Sequence, residues 1–361
     1  MRSEQPVDVL IVSLGSTAGL RTADAELQDS LTRAGARVAL TRALTPRPAR
    51  TLMLTDLGWA RSARTAAEGM LRQMRRSPPR ALLYSSTTAA LFWPRPGAIR
   101  FDAPATGNRR GHHGLWQRPL ERRRLAQASL MLPWSEGALQ EAPASASSGQ
   151  RALVLPVPVE PSGPLEPVRD IAAITYAANP SKKGLDRVLD AWRAVRGELT
   201  GGADARGSDG ADAVGPEGFD GLVVAGISTQ ELSEIGFDLE GEQGVRVTGA
   251  LPPSEYRALV RRSRAFVCAP RREDYGIAQL EALAYGCRLV STPAPGPYAA
   301  LPIARELDAR LISDDLESAL RVALGESQGD YAHRAREALA PFSRQAVDRV
   351  VAQQLLARLL A

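Results

Sequence analysis

Only two of the 45 basic residues in this 361-residue chain are lysines, and they are adjacent: Lys182 and Lys183, in Asn179-Pro180-Ser181-Lys182-Lys183-Gly184. An ammonium is a compact, swivelling point charge that a planar guanidinium does not always replace. Set between a strand-like and a helix-like segment, it would join the positive end of the helix dipole and free backbone N–H groups, a combination that suits a phosphate. The alternative is an exposed loop in a chain whose composition has drifted toward arginine. A second constellation is Glu273-Asp274-Tyr275-Gly276-Ile277-Ala278-Gln279-Leu280-Glu281. Glu281 falls inside an otherwise apolar helix, where a carboxylate is costly to bury unless something donates hydrogen bonds to it. A ribose diol would do so; a buried arginine or backbone N–H group is the structural alternative. Glu273 lies in the loop before that helix. The eight-residue offset corresponds to about 12 Å if helical, enough to put one carboxylate near each end of an extended nucleotide-sugar. Between them Gly276 lets the backbone approach a ligand at the helix N-terminus.

The elements that must position these residues alternate. Val7 to Leu14 is an apolar, β-branched run ending in Gly15-Ser16-Thr17-Ala18-Gly19, and Thr22 to Ala34 has helical spacing. Arg37–Ala43 reads as a strand, Ala60–Arg76 as a basic amphipathic helix, and Arg80–Tyr84 and Ala98–Phe101 as strands. Helix Glu121–Gln127 and strand Leu130–Pro133 follow. From Glu141 to Gly149 the chain is small and polar, and prolines crowd Val154 to Val168, which fits a domain boundary. The alternation restarts with strands at Ile171–Ala177, Leu222–Ala225, Val245–Val247, Ala265–Cys268 and Arg288–Ser291. Helices are expected at Leu185–Leu199, Ser254–Arg262, Ile277–Tyr285 and Leu316–Ala323. Thr200 to Gly218 lacks periodicity and reads as a surface insertion, and Ser343 to Leu360 as a long final helix. The fold class is therefore α/β, two tandem Rossmann-like, doubly wound domains. Their bounds are residues 1–155, a linker 156–169, a second domain 170–342, and a helix 343–361 placed to pack back on the first domain. Gly15-Ser16-Thr17-Ala18-Gly19 is not the G-x-G-x-x-G of dinucleotide binding.

Composition is that of an ordinary globular protein, 44% apolar and 24% charged. No apolar run is long enough to span a membrane, and Met1 to Pro6 lacks the pattern of a signal peptide, so the expected location is cytoplasmic. Cys268 and Cys287 are too few for a disulfide framework and read as reduced packing residues. The net charge of +5 divides unevenly: residues 1–150 hold 21 arginines against 11 acids, so that half carries +10 and the remainder −5. The basic half is the candidate for touching something anionic, either a phosphorylated or lipid-linked acceptor or the surface of an anionic membrane. Its densest stretch contains Arg109, Arg110, His112 and His113. A solvated helix face is the competing reading. No nucleic-acid motif accompanies the charge, and no metal-ligand spacing is present.

The second half resembles the retaining glycosyltransferases of family 4, whose fold is the two-domain GT-B fold with an interdomain cleft. Glu273 to Glu281 matches that family's E-x7-E motif, with Tyr275-Gly276 as its aromatic-glycine pair. Lys183-Gly184 matches its Lys-Gly turn. Val224-Ala225-Gly226 and Val247-Thr248-Gly249-Ala250-Leu251 match two strand ends that approach the nucleotide. The resemblance is specific over about residues 170 to 315, and covers the first domain in layout only. It implies transfer of a hexose-type sugar from a UDP- or GDP-sugar to an acceptor hydroxyl, with retention, no metal and no cofactor. Lys183 would neutralise the departing diphosphate. Glu281 would hold the ribose hydroxyls, and Glu273, with the backbone around Tyr275, Gly276 and Ile277, would grip the transferred sugar. Gly15, Gly226, Gly249, Ala250, Leu251 and Gly296 would line the donor site. Asp102 stands where the family often has an acceptor-side acid or His.

One departure matters. Where the family has an arginine assisting the lysine, this chain has Ala178. Lys182, Arg271 and Arg272 are the substitutes at hand. The rival readings are a catalytically silent nucleotide-sugar-binding or scaffold protein on the same fold and a sugar-nucleotide epimerase.

Overall fold

A computed structural model of the chain describes residues 6–47, 49–143, 151–161, 165, 168–201, 219–325 and 329–361. Two compact units divide it: residues 1–158 with 341–361, and residues 159–340. Most of the expected insertion at Thr200 to Gly218, and part of the expected linker, lie outside the described residues.

The first unit holds a parallel five-stranded sheet of β1 (Val9–Ser13), β2 (Val38–Arg42), β3 (Ala81–Tyr84), β4 (Ala98–Phe101) and β5 (Met131–Pro133). Their order is β2-β1-β3-β4-β5. β1, β3, β4 and β5 are buried at every position, the mark of parallel strands covered on both faces. Their side chains alternate between two cores, as the two-residue period of a strand demands. Leu10, Val12, Leu82, Tyr84, Ile99, Phe101 and Met131 pack on one face with Ala63 and Ala67 of helix Leu52–Gln73. Val9, Ile11, Ala81, Leu83, Ala98 and Leu132 pack on the other with Leu27 and Leu31 of helix Ala18–Arg33. Helix Leu52–Gln73 begins eight residues before its expected start. Thr51 caps it by accepting from Leu54 N at 3.3 Å, and Thr55 ties the preceding loop to it by accepting from Ala49 N at 2.8 Å.

The chain ends back on this unit. Val347, Val351, Leu355 and Leu359 enter the same core as Leu27 and Leu31, and Asp348 takes Arg33 Nε at 2.7 Å. A strict four-residue apolar period drifts by about 40° per step on a 3.6-residue helix. Instead of one continuous α-helix, the segment therefore runs as helix Arg344–Val350, a wider π turn over Val351–Leu355, and helix Leu356–Leu360. That turn takes up part of the drift.

The second unit repeats the plan with β6 (Ile171–Tyr176), β7 (Phe219–Ala225), β8 (Val245–Gly249), β9 (Ser263–Cys268) and β10 (Arg288–Ser291), in the order β10-β9-β6-β7-β8 and all parallel. Strand order reverses at β6 and β9 here and at β1 and β3 in the first unit. Such switch points open a crevice at the carboxyl ends of the strands. Cys268 and Cys287 are buried and free. Among the described residues no helix is long and apolar enough to cross a membrane.

Leu355 is fully buried and Gln353 is exposed. Leu355→Ala should therefore lower the unfolding free energy by about 2–5 kcal/mol, while Gln353→Ala should change it by less than about 0.5 kcal/mol. Urea unfolding of the full chain measures both.

Candidate functional site

In the second unit the loops after β6 and β9 meet at the switch point. Asn179 caps a single helical turn, Pro180–Lys183, by accepting from Lys182 N at 3.0 Å. Gly184 ends that turn at φ 67°, and a Cβ there would stand 1.9 Å from the Ala269 carbonyl oxygen, so only glycine fits. Arg271 N donates to Lys182 O at 3.0 Å, fastening one loop to the other. Lys183 Nζ then reaches Glu273 Oε2 at 2.5 Å, with the Glu273 side chain 6% exposed. Beyond Glu273, Gly296 (φ 116°) would place a Cβ 2.2 Å from the Glu273 carbonyl oxygen, and Glu273 N donates to Pro295 O at 3.1 Å. The turn after β10 is therefore pressed against the backbone of Glu273.

The structure places the three substitute cations in ion pairs. Lys182 Nζ lies 2.7 Å from Asp274 Oδ2, and Arg272 Nε 2.9 Å from Asp274 Oδ1. Burial pushes the Asp274 carboxyl up, but Lys182 and Arg272 together outweigh it and hold it below the ordinary carboxylate range. Arg271 clamps Asp186 at 2.7 and 3.1 Å and also donates to Ser181 O at 2.8 Å. Asp274 carried no role in the sequence reading; its signal was a second carboxylate beside Glu273 opposite a second lysine.

Gly276, at φ 89°, opens helix Ile277–Ala284, and its absent side chain leaves room for the Tyr298 ring. Tyr275 is buried and Ile277 half-buried. Glu281 is half-buried on this helix, and among the described residues no hydrogen bond or ion pair reaches its carboxylate. Desolvation pushes its carboxyl up, against a smaller pull from the Arg257 charge. Close by, the hydroxyl of Tyr256 is buried without a hydrogen-bond partner. The Tyr256 ring stands edge-on to Tyr176 at 5.4 Å. Gly226 (φ 91°) lies over Tyr176, where a Cβ would come 2.7 Å from the ring. Gly226 N donates to Gly249 O at 2.8 Å, joining the ends of β7 and β8, with Ala250 exposed and Leu251 half-buried just after. Lys182, Lys183, Glu273 and Gly296 thus form one cluster; Glu281 groups instead with Tyr256, Tyr176 and Gly226.

The first unit has a cluster of its own. Gly15 follows β1 at φ 56°, and Leu14 N donates to Ser85 Oγ across the switch point at 3.4 Å. Beneath that loop Ser13 Oγ donates to the buried Asp24 at 2.5 Å, and burial pushes the Asp24 carboxyl up. Asp102 accepts from Ala103 N at 2.8 Å. Arg109, expected on the acceptor side, grips the buried Asp56 of helix Leu52–Gln73 at 2.6 and 3.2 Å. Gln117 donates to the same carboxylate, so that charge is answered inside the unit. Arg110 and His112 are exposed, and the His112 and His113 rings lie tilted at 43° with centres 4.0 Å apart.

Glu121 of helix Gln117–Gln127 is a buried carboxyl in the same unit whose titration is moved toward neutrality. Burial pushes it up to about 7, against hydrogen bonds from Thr87 and from Ala105 N at 2.7 Å. The folded chain therefore holds a proton that the unfolded chain, titrating near 4.5, releases. Stability from this group is full below pH 4.5 and is lost as pH rises to about 7, then level, a span of about 3 kcal/mol. Glu121→Gln should flatten that part of the pH dependence of the melting temperature.

Residues 220–301 match the family described as glycosyl transferases group 1. No curated protein sequence matches the chain. Among solved structures, WaaG, a glycosyltransferase involved in lipopolysaccharide biosynthesis, is 13% identical with a TM-score of 0.65, over 95% of this chain and 99% of that one. HepE of Anabaena, in complex with UDP and glucose, is 12% identical with a TM-score of 0.62, over 97% and 99%. The lipopolysaccharide outer core galactosyltransferase WaaB is 10% identical with a TM-score of 0.53, over 98% and 100%. The chain has the two-domain α/β fold of these glycosyltransferases, the GT-B fold, and residues 220–301 of its second unit are similar to the glycosyl transferases group 1 family.

Proposed function

We propose that the chain is a retaining glycosyltransferase that moves a hexose-type sugar from a UDP- or GDP-sugar to an acceptor hydroxyl. The observation that carries this reading is the Lys183–Glu273 pair, 2.5 Å apart at the switch point of the second sheet. It brings a cation suited to a diphosphate next to a carboxylate suited to sugar hydroxyls. Glu281, which no donor reaches among the described residues, supplies acceptors for a ribose diol. HepE has been solved with UDP and with UDP-glucose, so uridine sugars are the first donors to try.

In this mechanism the bond between the anomeric carbon and the diphosphate oxygen breaks while the acceptor oxygen bonds to the same carbon from the same face. The acceptor proton leaves with the diphosphate. Lys183 meets the charge that develops on the departing oxygen, a fixed charge aimed where charge appears. Glu273 and the backbone at Tyr275 to Ile277 hold the sugar. Asp102, Arg110, His112 and His113 of the first unit belong to the acceptor side. A second reading, a silent nucleotide-sugar-binding protein, is favoured by one observation. Ala178 leaves the lysine unassisted, and Lys182, Arg271 and Arg272 are each engaged by Asp274 or Asp186.

A screen of UDP, GDP and their hexose derivatives by thermal shift, followed by donor hydrolysis, separates the two. At a ligand concentration a hundredfold above its Kd, binding raises native stability by about 2.7 kcal/mol. Transfer or hydrolysis that disappears in Lys183→Ala supports the enzyme. Stabilisation with no turnover across acceptors supports the silent protein.

The first unit also suits the cytoplasmic surface of an anionic membrane. Leu44, Leu52, Leu54 and Leu115 are 91%, 51%, 49% and 65% exposed. Leu52 and Leu54 lie on the first turn of helix Leu52–Gln73, and the segments that carry Leu44 and Leu115 are tied to that helix, Trp59 Nε1 donating to Pro46 O at 3.0 Å and Arg109 to Asp56. Arg42, Arg47, Arg50 and Arg110 are exposed on the same segments or next to them in sequence. Exposed leucines and exposed arginines on these neighbouring segments are the side chains an interface with acidic headgroups uses. The protein should sediment with anionic vesicles at low salt and be released at 0.5 M salt. Changing the four leucines to serine should weaken this binding severalfold; a protein that stays in solution at low salt refutes the membrane contact.

A further inference from the structure

We infer that Gln279 is a positioning residue for Glu273, holding one carboxylate oxygen so that the other is reserved for the donor sugar. The inference rests on the donor-site reading above and deepens it. Gln279 lies on the first turn of helix Ile277–Ala284 and is 1% exposed. Its Nε2 donates to Glu273 Oε2 at 3.0 Å, the same oxygen that Lys183 Nζ meets at 2.5 Å. Among the described residues no hydrogen bond reaches Glu273 Oε1. A carboxylate accepts only, so the amide end facing it is the NH2 end.

The cost of placing an amide here argues for a use. Gln279 Oε1 is buried without a hydrogen-bond partner. An apolar side chain would avoid that penalty on a helix whose neighbours Leu280, Ala282 and Leu283 are buried and apolar. What the amide gains is its bond to Glu273. A buried polar floor fixes it from below: Gln279 Nε2 is 3.7 Å from Cys268 Sγ, which meets Ser291 Oγ at 3.5 Å and Tyr298 OH at 3.4 Å.

The arrangement solves a problem that Lys183 creates. A diphosphate competes with Glu273 for the same ammonium, and as Lys183 turns to the phosphate Glu273 loses its strongest partner. Gln279 does not compete for phosphate. It keeps Oε2 in place, so the carboxylate still presents Oε1 while charge is moving next to it.

The test compares Gln279→Met, which keeps length and loses the donor, and Gln279→Glu with the full-length protein. For Gln279→Met we expect UDP or GDP affinity within about twofold of wild type and a melting temperature no lower. The extra affinity of the nucleotide-hexose over the bare nucleotide should vanish, and kcat/KM should fall by about tenfold to a hundredfold, the scale of a misplaced group. Gln279→Glu should be weak at neutral pH and recover as pH falls, because a protonated carboxyl again donates to Glu273. Wild-type selectivity and rate in Gln279→Met overturn the role of Gln279, as does parallel loss of nucleotide affinity and thermal stability. Wild-type protein that binds no nucleotide-sugar overturns the donor-site reading beneath it.

Discussion

The second unit is organised around one ion pair that does little for stability. Taking Lys183 and Glu273 out of water costs several kcal/mol per ion, and their mutual attraction returns that only with good geometry and further hydrogen bonds. The geometry is made by glycine and backbone. Gly184 brings its loop within reach of the Ala269 carbonyl, Gly296 presses the turn after β10 against Glu273, and Arg271 N ties to Lys182 O. A side chain at either glycine would push apart the elements that carry the pair. The sequence thus accepts conformationally expensive residues and a desolvated pair to fix two charged atoms at the mouth of the sheet.

Around that pair charge is nearly balanced. Lys182, Lys183, Arg271 and Arg272 face Asp186, Glu273 and Asp274. Four cations with no carboxylates would repel one another and stay splayed in water. Paired, they are held in place, and in the proposed function a diphosphate would exchange one partner for another rather than order free side chains. Preorganisation of this kind is what makes fixed charge effective against a developing negative charge.

How much of this could be read beforehand follows from the range of each interaction. The alternation of strands and helices gave both sheets and most strand bounds, because burial on two faces imposes apolar runs that any window of sequence displays. The start of helix Leu52–Gln73 stayed hidden because its cause is a single hydroxyl, Thr51, rather than a periodic face. The lysines, Glu273 and Glu281 stood out as polar residues in places where composition did not call for them. Gln279 carried the same signal, a polar group in an apolar helix, but an uncharged amide gives less reason to look for a partner. Arg109 shows the opposite limit. Its run of basic neighbours suggested an outward face, while its partner Asp56 lies 53 residues away and no local pattern connects them.

Gln279 and Glu281 make the most direct comparison in the molecule, since they sit two residues apart on one short helix. Gln279 points its amide at Glu273 and is held by protein. The Glu281 carboxyl is pushed up by desolvation and, among the described residues, is met by no donor, with the unpartnered hydroxyl of Tyr256 nearby. A structural carboxylate in such a position would have acquired an arginine or a backbone N–H to answer it, as Asp56 has acquired Arg109 and Asp8 has acquired Arg37. The chain has 43 arginines, and among the described residues none lies within hydrogen-bonding distance of Glu281. In the proposed function the ribose hydroxyls of the donor are what satisfy it, and the helix that carries Glu281 is the same one whose first turn bears Gln279, the amide that meets Glu273.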